Sequence, residues 1–148
     1  MTIKRTTNIV SVGLIAAYVL FLLIGWRSFP ARIPTHFSAS GAADSYGSKT
    51  SLLIEPVIMV GLFLLFAVVE CFPRTWNIPV QVTQENEAAI FHICTVLFGI
   101  LKITSILLCA YTGLMCIYPA LPSWPMFMLI LVLIGSIGWS IYRMFKAR

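Results

Sequence analysis

Three side chains able to exchange a proton, His36, Asp44 and Glu55, fall in or beside one short polar stretch of this chain. Histidine is the side-chain type whose charge changes near neutral pH, and a histidine beside a carboxylate is a common acid–base arrangement. Asp44 and Glu55 are acceptors close to His36 in sequence, and Arg32 and Lys49 are cations placed to neutralise them. No nucleophile motif or metal-binding triad accompanies the group. The pattern therefore predicts no catalytic residue, no metal and no cofactor. The simplest reading is a loop whose polar groups satisfy one another through local side-chain bonds. The sharper one is a binding or sensing surface, because loops held on rigid scaffolds carry function.

The rest of the chain explains why chemistry is concentrated there. Of 148 residues, 59% are hydrophobic and only 10% charged, and the mean hydropathy is +0.95. Soluble domains carry roughly 25% charged residues, so lipid is the main solvent here. A spanning helix needs about 20 mostly apolar residues. Four segments meet that need, at about 9–26, 52–70, 88–118 and 124–145, with a polar loop at 27–50. The expected fold is all-α. It is a single four-helix transmembrane bundle over residues 1–148, with an ordered loop between the first two helices. Lys4 and Arg5 precede the first run, as in a secretory signal, but the run is too long and lacks a small-residue cleavage site. It reads as a retained anchor.

Lys and Arg in the connections set the orientation. With a cytoplasmic N-terminus, Lys4, Arg5, Arg74, Arg143, Lys146 and Arg148 lie inside, and Arg27, Arg32 and Lys49 outside. Both termini are therefore expected in the cytoplasm, with the polar loop facing out. The net charge of +5 reflects that topology more than a nucleic-acid footprint, since no basic cluster with interleaved aromatics occurs. Nucleic acid is excluded as a partner.

Helix ends add detail. Ser123 is expected to cap the fourth helix, with Pro125 in its first turn. Thr83 is expected to cap the third, with Glu85 and Glu87 near its positive end. Pro56 disfavours helix at Glu55, so the second helix either begins about there or follows a kinked turn over 50–55. The third segment is about 46 Å long at 1.5 Å per residue, more than one crossing needs. Lys102 is expected to snorkel towards the headgroups; the alternative is an intramembrane pair with Glu70. Small residues at Gly13 and Ala17, Cys109 and Gly113, and Ser136 and Ser140 suit close helix contacts or a homo-oligomer. Cys71, Cys94, Cys109 and Cys116 lack the spacing of a zinc site or redox pair.

The loop Ile33-Pro34-Thr35-His36-Phe37, followed by Gly41, Asp44 and Tyr46-Gly47-Ser48-Lys49, resembles the hallmark of a bacterial membrane family called domain of unknown function 1648. Ile78-Pro79-Val80-Gln81-Val82-Thr83-Gln84-Glu85-Asn86, with Leu101-Lys102 beyond it, resembles a second patch of that family. The family is in turn similar to the N-terminal part of membrane proteins that give immunity to a sporulation-delaying peptide toxin. The resemblance implies a multi-pass protein of the bacterial plasma membrane and no particular reaction. The expected role is non-enzymatic: resistance, immunity or signalling, with the outer loop recognising a peptide or another membrane protein. The alternatives are a small transporter or transport subunit, and an accessory of a membrane enzyme acting on lipid or cell-wall material. Within the loop, Pro34, Gly41 and Gly47 should enforce a tight fold, and Phe37 and Tyr46 should seat it at the membrane interface.

Overall fold

The computed structural model describes residues 2–38 and 41–148. Four long helices run Ile3–Gly25 (α1), Ile54–Val69 (α2), Glu87–Ile117 (α3) and Trp124–Lys146 (α4). Each is long and apolar enough to cross a membrane, α2 together with the 3-10 turn Lys49–Leu53 that leads into it. That turn reconciles the two readings of Pro56. The chain tightens first, the α-helix begins at Ile54, and Pro56 stands in its first turn, where a missing N–H leaves no bond unmade.

α3 is the central post. It packs against each of the other three helices, whereas α4 packs chiefly against α3. The outward faces of α1, α2 and α4 expose Leu23, Ile24, Val57, Leu64, Leu131 and Ile134, the pattern expected where lipid covers the surface. Close approach depends on two glycines of α3. A Cβ at Gly99 would stand 2.7 Å from Thr7 Cγ2, and one at Gly113 would fall on the Tyr18 hydroxyl and the Glu55 carboxylate. Gly13, expected to serve a helix contact, has open space beside it instead, as do Gly135 and Gly138 of α4.

Two further expectations need correcting. The loop after α1 is no plain loop but an antiparallel hairpin of Arg32–Phe37 (β1) and Ala43–Ser48 (β2). Its strands lack alternating apolar residues, the usual strand signal, because the hairpin is seated mainly by Ile33 and Pro34 of one strand. Ile33 joins Tyr18, Leu22, Phe29, Leu52 and Met59 in the core at this end of the bundle. The third helix begins at Glu87, later than a Thr83 cap requires. Asn86 Oδ1 accepts from the Thr83 backbone N–H at 2.8 Å, and Asn86 Nδ2 donates to the Gln81 carbonyl at 3.1 Å. Ser123 does stand at the N-cap of α4, but its side chain makes no capping bond.

Candidate functional site

The hairpin holds its polar residues by backbone irregularity. Pro34 pairs with Tyr46, then His36 with Ser45 and Phe37 with Ala43, so the register skips Thr35 on one strand and Asp44 on the other. Such bulges twist the ladder and re-aim side chains. Here they bring His36 Nδ1 within 2.6 Å of Asp44 Oδ1, in a pair that is 69% and 48% exposed. Gly41 closes the tip at φ 82°, the left-handed region that glycine adopts without steric cost. Gly47 leaves room for Thr35, whose Cγ2 would lie 2.8 Å from a Cβ there. Thr35 Oγ1 donates to Ser45 Oγ at 3.4 Å. Ser48 Oγ accepts from the Thr50 N–H and hydroxyl, starting the 3-10 turn. Tyr46 points into the surroundings, largely exposed.

Lys49 departs from expectation. It neutralises neither Asp44 nor Glu55; its ammonium donates to the carbonyls of Trp26 (2.7 Å) and Phe29 (3.4 Å) and lies 5.2 Å from the centre of the Trp26 ring. A cation at the C-terminal end of α1 meets the negative end of the helix dipole there. Lys49 thus ties the hairpin to the helix that precedes it.

Glu55 also has a different partner. Its carboxylate accepts from the Tyr18 hydroxyl of α1, in the space that Gly113 leaves open on α3. His36 does not bond to it. The two nevertheless line one cavity of about 490 Å³, roofed by the hairpin and walled by the ends of α3 and α4. Phe37, Met115, Cys116, Met126 and Phe127 give that cavity a mostly apolar lining, with Glu55, His36 and Thr112 among its polar points. A concave apolar site with a few fixed polar groups is the usual form of a ligand site. Among the described residues, no three His, Cys, Asp or Glu side chains come together to hold a metal.

At the opposite end, the structure brings Glu70 and Lys102 together. Lys102 is fully buried, with Nζ 3.0 and 2.9 Å from the two Glu70 carboxylate oxygens and 2.5 Å from Asn8 Oδ1. Snorkelling is therefore incorrect: Lys102 lies on the buried face of α3, and its side chain turns to acceptors on α1 and at the end of α2. Three N–H donors meet three acceptors, so the ammonium is satisfied. Lys4 donates to the Glu70 backbone carbonyl at 3.2 Å and holds the end of α2 in place. Asn8 and Tyr18 were not singled out by the sequence. Their signal was available, since a polar group inside an apolar span needs a partner.

Residues 13–60 match the family model described as domain of unknown function, DUF1648. Over that segment the chain is similar to DUF1648. That segment runs from α1 through the hairpin into α2, so it contains Tyr18, the His36–Asp44 pair and Glu55, while Glu70 and Lys102 lie beyond it. The DUF1648 segment does not complete the cavity alone, since α3 and α4 supply its other walls. An uncharacterized protein of the archaeon Archaeoglobus fulgidus is 33% identical over 73 residues, covering 44% of this chain and 40% of that relative. The chain thus spans well under half of the relative's length. No solved structure matches.

Proposed function

We propose that this chain is a non-enzymatic, multi-pass protein of a prokaryotic plasma membrane that recognises a peptide or a partner protein at the hairpin end. The observation that carries this reading is the cavity beneath the hairpin, with Glu55 in its wall. Among the described residues Glu55 has a tyrosine hydroxyl for company and no cation, so the cavity suits an apolar segment bearing a positive charge. Resistance, immunity or signalling is the role that fits such recognition, in line with the resemblance to toxin-immunity proteins. Charge in the connections favours cytoplasmic termini and an outward hairpin. The open faces at Gly135 and Gly138 would accommodate a second copy of the chain or lipid.

The test is photo-crosslinking in cells from a reactive amino acid placed at Phe37 or Tyr46, with adducts identified by mass spectrometry. Recovery of one peptide or membrane protein, lost on Glu55→Gln, supports recognition. Adducts to lipid alone from both positions would count against it. Challenge of a deletion strain with peptide toxins then separates immunity from signalling.

A second reading, a transporter or transport subunit, draws on the Asn8–Lys102–Glu70 cluster, because ionisable groups within spans often mark ion or substrate paths. Ion or solute flux in proteoliposomes, abolished by Lys102→Met with Glu70→Met in a protein that still folds, would favour it over recognition.

A further inference from the structure

A second concave site lies at the end of the molecule that bears both termini, and the reading above does not use it. The first turns of α3 and the last turns of α4 enclose a groove of about 420 Å³. His92 from α3 and Arg143 and Lys146 from α4 all line it, as do Trp139 and Tyr142. The positions follow helical spacing. Residues 89, 92, 93 and 96 share one face of α3, and 139, 142, 143 and 146 share one face of α4. The two aromatic rings are 5.6 Å apart and strongly exposed. Towards the middle of the bundle the groove continues into a smaller one of about 240 Å³, where Ile93, Val96 and Ser140 join the lining.

Its charge is unusual. Three side chains that can carry positive charge line the groove, and among the described residues no carboxylate does. Glu85 lines a neighbouring cavity, together with Arg148. Among the described residues Arg143, Lys146 and His92 make no ion pair, whereas Lys102 at the same end of the bundle is fully matched. Trp and Tyr favour the headgroup level of a bilayer, and arginine binds phosphate oxygens in two-pronged fashion. The groove therefore offers cationic donors where a phosphate would lie and apolar surface where an acyl chain would follow.

We propose that this groove is a binding site for the phosphate headgroup of an anionic phospholipid. Arg143 and Lys146 take the phosphate, with His92 on the opposing helix as a further donor. Trp139 and Tyr142 hold the glycerol level, and the first acyl carbons run along Ile93 and Val96. Free inorganic phosphate shares the headgroup chemistry but has no use for the apolar half.

The experiment uses the full chain in mild detergent, titrated with phosphatidylglycerol or phosphatidylcholine and read by native mass spectrometry. Wild-type protein should retain phosphatidylglycerol in preference to phosphatidylcholine. The doubly substituted Arg143→Gln, Lys146→Gln protein should bind it at least about tenfold more weakly, as expected for losing charge-assisted bonds to phosphate. Arg5→Gln, which removes an exposed charge from the same end, should leave binding unchanged. Equal retention of phosphatidylcholine would overturn the proposal, and so would an equal loss with Arg5→Gln. Displacement of the lipid by millimolar inorganic phosphate would reassign the site to a free anion and overturn it as well. A photoactivatable phosphatidylglycerol should also label the 139–146 segment of unaltered protein, and labelling elsewhere refutes the site even if the variant does not fold.

Discussion

The two ends of the bundle solve the same problem in opposite ways. Both place a carboxylate from α2 inside a mostly apolar assembly. At the end bearing the termini, Glu70 is buried against Lys102, whose ammonium also meets Asn8 and lies 5.9 Å from the centre of the Phe63 ring. At the hairpin end, Glu55 meets one hydroxyl and looks into a cavity. A buried carboxylate with both oxygens bonded to a cation is architecture, and one whose oxygens face open space is available to a ligand. The contrast separates the parts of the chain that hold the fold from the part that can recognise something.

The sharpest way to break the contrast is Lys102→Met. It leaves Glu70 buried without its cation, which typically costs about 3–5 kcal/mol, and the protein should lose most of its thermal stability in detergent. Adding Glu70→Met should restore much of that loss, since paired apolar replacements of a buried ion pair are often neutral or better. If the single and double variants melt alike, the pair is not what holds this end together. Gly113→Val should come next, at about 1–3 kcal/mol, because its side chain overpacks the space used by Tyr18 and Glu55. Gly61→Ala serves as its control: it has open space at the corresponding atom and should melt with the wild type. Tyr18→Phe removes one interhelical hydrogen bond, worth about 0.6 kcal/mol on average within membranes. The result to watch is faster alkylation of Cys116 in the same cavity by a maleimide. His36→Ala should be the mildest change, below about 1 kcal/mol, since exposed ion pairs contribute little. A large loss of stability there would move the hairpin pair from recognition to architecture.

Much of this organisation was legible in the residues. Four apolar runs specify four helices because length and hydropathy alone decide whether a segment can cross lipid. Pro34, Gly41 and Gly47 marked a compact turn for reasons of backbone geometry. The hairpin itself was not legible, because Ala43–Ser48 carries no apolar alternation and its pairing is set by contacts with Ile33 and Lys49. Glu70 and Lys102 suggest a pair, but preferring it to snorkelling requires knowing which face of α3 meets α1 and α2. Tyr18 escaped notice for the same reason: which face of α1 meets Glu55 is settled by a glycine almost a hundred residues away.

α4 has a mechanical consequence of its own. It is one continuous helix fastened mainly along one neighbour, and it walls the hairpin cavity with Met126 and Phe127 and the opposite groove with Trp139 and Arg143. Any tilt that widened one chamber would reshape the other, as a seesaw does about its pivot. An occupant seated at either end would thus alter the grip at the far one, and by linkage the influence would run equally in both directions.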